Sequence, residues 1–256
     1  MNEPADSLRP GPLLPFDVSH ATPALPSTPL ALVPLMRRVE NAAWKLIRRC
    51  LDAECRESLC LPIPIERWVE GPLGLRLEIA DLSDRSQDGL EVLGATEISS
   101  KTIRVSDRIA DQENRFRFTV AHELGHITLH AHLTGTFRDS ADGPFLDDLL
   151  EREANRFAAA FLVPVNALRQ ELPRFAAATG VTASELLDRV SIEEPAATTV
   201  LLGQVIPRLS KRFGVADTTS LGRLRDLQFD DGRPLIPHRV LRKLHTEVAG
   251  KNRRSK

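Results

Sequence analysis

The chain has 256 residues, enough for one sizeable domain or two small ones and for a genuine apolar core. Its formal net charge of −1 excludes a globally basic binder of nucleic acid or membrane, so any such affinity must come from a local patch. Three cysteines without zinc-ribbon spacing, no run near the ~20 apolar residues of a membrane span, and an acidic, proline-broken start point away from export and toward a reducing cytoplasm.

Residues 1–34 hold eight of the eighteen prolines, each of which fixes φ and removes a donor, so a disordered or loosely tethered arm is expected there. Leu35, Val39, Ala43 and Leu46 then repeat at helical spacing, which predicts a helix to about Cys55. Cys50, Cys55 and Cys60 read as structural or incidental thiols; the alternative is a redox-sensitive cluster, since Cys50 and Cys55 can share that helix. A short helix is expected over residues 65–69. Alternation in Leu75, Leu77 and Ile79, in residues 92–98, and in Ile103 and Val105 predicts three short strands, joined by polar turns such as residues 81–89.

The helical period returns from Gln112 to about His130, and a second long helix is expected from about Leu146 to Leu162, stopped by Pro164. Beyond it two segments resemble each other. Pro173-Arg174, Gly180-Val181, Leu187 and Arg189 recur as Pro207-Arg208, Gly214-Val215, Leu221 and Arg223, each reading as helix, Gly-Val turn and helix, the spacing of a helix-turn-helix. The architecture expected is α+β: a small antiparallel sheet beside the two long helices, followed by the helical region. It divides into the arm (1–34), a domain holding the sheet and the two long helices (35–165), a helical region (166–230) and a basic C-terminal tail (231–256), the last read as a solvated extension or as a contact for acidic partners.

The chemistry sits in His122-Glu123-Leu124-Gly125-His126. Positions four apart on a helix lie one turn up and about 40° round, so both imidazoles can reach one ion, with Glu123 placed to take a proton from an attacking water. Phe116, Val120 and Leu124, widened by Phe118 and Ala121, embed this helix, and Gly125 at about 1 kcal/mol of lost propensity signals close approach by a neighbour. The cation expected is Zn²⁺, which needs a third protein ligand. Glu153 is the candidate, on the apolar flank formed by Leu150, Ala154, Phe157, Ala158 and Phe161, where an unpaired carboxylate would be costly. Glu151 competes, with Ala154 and Ala158 at i+3 and i+7 but the polar Asn155 at i+4; for Glu153 the bland reading is a surface ion pair with Arg152 or Arg156.

At these residues the chain resembles the ImmA/IrrE family of metallopeptidases. Arg117-Phe118-Thr119-Val120-Ala121 leading into His122 to His126, with His130 after, is similar to that family's central motif. Glu153-Ala154-Asn155, Phe157-Ala158 and Leu162-Val163-Pro164 are similar to its second motif, and the likeness covers residues 60–165, more weakly to 228. The resemblance implies His122, His126 and Glu153 as zinc ligands and Glu123 as catalytic base. It also implies a protein substrate, a helix-turn-helix repressor of the Xre class, whose cleavage releases stress-response or mobile-element genes.

No tyrosine is present to stabilise an oxyanion, and His130, one turn beyond His126, is the nearest substitute, although it could equally cap or pack the helix end. A competing reading from another class is a DNA-binding or repressor-binding regulator with a structural or vestigial zinc site. Its support is the basic residues Arg208, Lys211, Arg212, Arg223 and Arg225, set against a helical subdomain that supports the metal helices or docks a substrate.

Overall fold

The computed structural model describes residues 31–32, 37–83, 92–131, 143–229 and 232–254. The expected arm therefore lies outside the described residues apart from Ala31–Leu32 (β1), which pairs antiparallel with Leu227–Gln228 (β5). The turn expected over 81–89 lies outside them from residue 84 onward.

Helix α1, Arg37–Ala53, turns Val39, Ala43, Ile47, Cys50 and Leu51 inward at helical spacing and packs on α4. Its Cys50 thiol is pushed up to about 11 by burial, whereas Cys55 is exposed past the helix end, so the two do not form a shared reactive cluster. Helix α2, Ile65–Glu70, buries Trp68, whose ring meets Phe161 edge-on.

Strands β2 (Arg76–Ala80), β3 (Gly94–Glu97) and β4 (Thr102–Ser106) form a sheet in the order β2-β4-β3. The α+β class holds, but the sheet is mixed, not antiparallel: β3 and β4 make an antiparallel hairpin, while β2 and β4 are parallel with Arg76 opposite Thr102. A parallel pair needs a connection of about a dozen residues or more, and the whole stretch 81–101, β3 included, supplies it. Alternation within each strand is blind to this. The central strand β4 is buried through Ile103 and Val105, and β3 is left at the edge beside α3.

The two long helices α3 (Glu113–His130) and α4 (Gly143–Leu162) pack extensively on each other. After them come α5 (Val165–Ala177), α6 (Ala183–Ser191), α7 (Pro195–Val200), α8 (Ile206–Phe213) and α9 (Asp217–Arg225). A π-helical segment, Leu201–Val205, joins α7 to α8. Gly180 and Gly214 take left-handed φ values of +85° and +64° between the helices of each repeated unit, a conformation glycine adopts without the Cβ penalty. A capping box, Thr182 with Glu185, starts α6. The expected solvated tail is instead helix α10, His238–Arg254, which buries Val240, Leu241, Leu244 and Val248, while Arg239 and Lys243 pair with Glu193. One apolar cluster runs from Val39 through the metal helices to Val248. No helix among the described residues is long and apolar enough to cross a membrane.

Candidate metal centre

Helix α3 is anchored one turn before its motif and packed tightly within it. Arg117, 5% exposed, donates to the carbonyls of Ile63 and Gly214 and pairs with Glu66, tying α3 to the segment before α2 and to the α8–α9 turn. Val120, Ala121 and Leu124 are buried as expected, and Gly125 lies against Ala154 and Phe157 of α4. That close approach sets the rotation of α4, which decides which of its carboxylates faces the histidines.

The carboxylate it brings is Glu151. His122 Nε2 lies 3.0 Å from His126 Nε2 and 3.1 Å from Glu151 Oε2, and His126 Nε2 lies 3.1 Å from Glu151 Oε1. Glu153, the expected third ligand, points elsewhere: its Oε2 is 3.0 Å from His130 Nε2 and also accepts from Arg38 of α1. The physical reason is the helix period. Positions two apart differ by about 200° around the axis, so Glu151 and Glu153 cannot both face α3 at the same level. Apolar neighbours along the helix favour Glu153, and Asn155 counts against Glu151 on that basis alone. In the structure Asn155 is the second half of the same polar face, its Oδ1 3.2 Å from His122 Nδ1.

These contacts suit the tautomers that a bound metal requires. Asn155 Oδ1 can only accept, so His122 donates to it from Nδ1, and Nε2 is the nitrogen turned to the cluster, carrying a proton toward Glu151 without a metal and a lone pair with one. The Glu153 carboxylate likewise accepts from His130 Nε2–H, which leaves His130 Nδ1 as an acceptor, 3.3 Å from His126 Nδ1. His126 therefore donates from Nδ1 and also presents Nε2. Burial keeps the His130 pKa below its ordinary value, consistent with a neutral ring in this relay. With both nitrogens taken and 5% exposure, His130 stands behind His126 and offers nothing to a substrate oxyanion.

Glu123 lies on the sheet side. Its Oε2 accepts from Thr96 Oγ1 at 2.7 Å, and a Cβ on Gly94 would stand 2.5 Å from its Oε1, so only glycine leaves the carboxyl its room. Thr96 and Gly94, on the edge strand β3, are not identifiable from sequence because nothing local links them to α3. Burial raises the Glu123 pKa, against the lowering pull of Thr96 and the two imidazoles. Burial would lower His122, but its contact with Glu151 and the field of Glu123 outweigh this and hold it above the ordinary value. The same contacts from His122 and His126 hold Glu151 far below the usual carboxylate range.

The donor set fits a zinc ion. The two imidazole nitrogens stand 3.0 Å apart, near the roughly 3.3 Å edge of a tetrahedron with zinc–ligand bonds of about 2.0–2.1 Å, and each has one oxygen of the Glu151 carboxylate at 3.1 Å. Two lone pairs aimed at each other across 3.0 Å repel unless a cation or proton lies between them. Among the described residues, His122, His126 and Glu151 are the group that could hold a metal ion.

A peptidase family model, described as the IrrE N-terminal-like domain, matches residues 73–215, more than half of the chain. The radiation response metalloprotease IrrE of Deinococcus radiodurans is 34% identical over 97 residues, which are 37% of this chain and 29% of that protein. This chain thus spans less than a third of that relative's length. Among solved structures, a Mycobacterium tuberculosis transcriptional regulator is similar with a TM-score of 0.45 and 19% identity, covering 77% of this chain and 48% of that one.

Proposed function

This chain belongs to the IrrE N-terminal-like (ImmA/IrrE) family of metallopeptidases, and from that membership we propose that it is a zinc-dependent endopeptidase making limited cuts in a protein substrate. The substrate in this reading is an Xre-type helix-turn-helix repressor, whose loss derepresses stress or mobile-element genes. The observation that carries the reading is the convergence of His122 Nε2, His126 Nε2 and the Glu151 carboxylate, with the Glu123 carboxyl beside them.

In this reading Glu151 is the third ligand, and Glu153 with His130 orients His126 from behind. When bound there, zinc supplies Lewis acidity toward a water and the scissile carbonyl. Glu123 takes the proton of the attacking water and returns it to the leaving amine. Its raised pKa suits both halves of that task, and Thr96 fixes the carboxyl by donating to Oε2. Asn155 and His130 hold the two imidazoles in the tautomer that leaves Nε2 unprotonated.

The regulator alternative loses two of its five basic residues. Arg223 is buried against Glu40 and Asp226, and Arg212 pairs with Glu171, so neither is offered to DNA. The test is metal analysis beside cleavage of an Xre-type repressor, with DNA absent and with a chelator control. Glu123→Gln should keep zinc and lose cleavage, and His122→Ala should lose both. Full cleavage by either variant rejects these roles for Glu123 and His122.

A further inference from the structure

A cavity of about 370 Å³ lined by both apolar and charged groups opens beside Asn155, walled by residues of α3, α4, α9 and α10. Arg152 and Arg156 enter it from α4, at positions on the same face as Asn155, and Arg225 enters from α9. The carboxylate inside it, Asp226, is already engaged from within: its Oδ2 accepts from Arg223 at 2.9 Å, and Arg225 Nε stands 3.6 Å from its Oδ1. Arg223 with Glu40 and Asp226 leaves one negative charge, which Arg225 balances, so Arg156 gives the cavity a cationic wall. Burial and the nearby Arg225 also push the His245 pKa down at its rim, as a cationic environment does.

Two residues make this cavity continuous with the metal centre. Asn155 lines it and holds His122, and Phe118, which floors it, lies one helical turn before His122 on α3. One turn is about 5.4 Å, and an extended chain advances about 3.3–3.6 Å per residue. A peptide lying across the metal centre thus reaches the cavity within a few residues of the bond being cut.

We propose that this cavity is a specificity subsite for an acidic side chain, Asp or Glu, of the protein substrate. The proposal rests on the peptidase reading and adds to it which residue type flanks the cut. Its concave shape, bounded by residues of α3, α4, α9 and α10, favours an acidic side chain over an extended track of nucleic-acid phosphates.

Binding is measured by fluorescence anisotropy on the zinc-loaded full chain carrying Glu123→Gln, so that cleavage plays no part. The probes are three short labelled peptides, identical except for a central Glu, Gln or Lys. The Glu peptide should bind about tenfold more tightly than the Gln peptide, and more so against Lys, with the preference shrinking as salt rises. Arg156→Glu should abolish that preference. So should Gly222→Glu, which puts a carboxylate into the cavity from a position where an added Cβ meets only His245, at 3.9 Å. Arg208→Glu, exposed on α8 away from the cavity, should leave the preference intact. Equal binding of the Glu and Gln peptides, no binding of any, or a preference that survives both substitutions overturns the subsite. So does duplex DNA that outcompetes the Glu peptide and is itself weakened by Arg156→Glu. Failure of the wild-type protein to cut a repressor would strike the peptidase reading alone.

Discussion

Gly125 of α3 meets Ala154 of α4 so closely that a Cβ built on the glycine stands 3.1 Å from the Ala154 Cα and 3.2 Å from the Phe157 Cβ. Neither neighbour can yield, since one is main chain and the other the root of a buried side chain. Gly125→Ala gains about 1 kcal/mol of helix propensity and loses ~1–3 kcal/mol to overpacking. The expected result is a lower Tm and poorer zinc retention, because parting the helices withdraws Glu151 from the histidines. A Tm above wild type with full zinc content would contradict this.

Glu151 and Glu153 are two residues apart and are expected to behave differently. After dialysis, Glu151→Gln should no longer hold zinc in stoichiometric amount. Glu153→Gln should retain it with affinity weakened by about 10–100-fold, the usual effect of losing a group that orients a ligand. Zinc per chain, measured for both variants, decides the assignment, and the opposite pattern would return the ligand role to Glu153.

The metal-free centre has a defined pH window. The His122 pKa lies above its ordinary 6.5, so its contribution to stability is complete below 6.5 and fades as pH rises through the folded value. Glu151 lies below its ordinary 4.5, so its contribution is complete above 4.5 and fades as pH falls through the folded value. Both are present together between those two ordinary values. Zinc needs a neutral imidazole, so it must displace the His122 proton. Calorimetric zinc titrations in buffers of different ionisation enthalpy should show more protons released near pH 6.5 than well above it. Equal release at both would remove His122 as the coupled group.

Arg223 is 1% exposed and donates to the Val163 carbonyl, to both Glu40 oxygens and to Asp226. Arg223→Met leaves the buried Glu40 without its cation and Asp226 with only the more distant Arg225, and should cost about 3–5 kcal/mol in denaturant unfolding. A loss well under 1 kcal/mol would show that the cluster does not tie α1 and α4 to α9.

Several features are legible from residue order because they are local. The pair His122 and His126 with Glu123 between them, the embedding of α3 by Val120, Ala121 and Leu124, and the close approach at Gly125 follow from one helix and its composition. The extent of the long helices also follows from periodicity and from Pro164. Other features are not local. Alternation in Leu77 and Ile103 cannot say whether their strands run parallel, since that depends on the path of the connection. Basic residues near the C-terminus read as solvated in sequence, yet Val240, Leu244 and Val248 between them pack on the core.

By itself the sequence determined that two imidazoles and a carboxylate would share a helix, because 3.6 residues per turn puts positions four apart on one side wherever that helix lies. Only the tertiary structure brought the Glu151 carboxylate within 3.1 Å of both imidazoles and turned Glu153 to His130, placed His130 behind His126, and brought Thr96 and Gly94 to Glu123. Those choices rest on how far α4 is rotated against α3 and where the edge strand falls, both set by contacts between segments far apart in the chain.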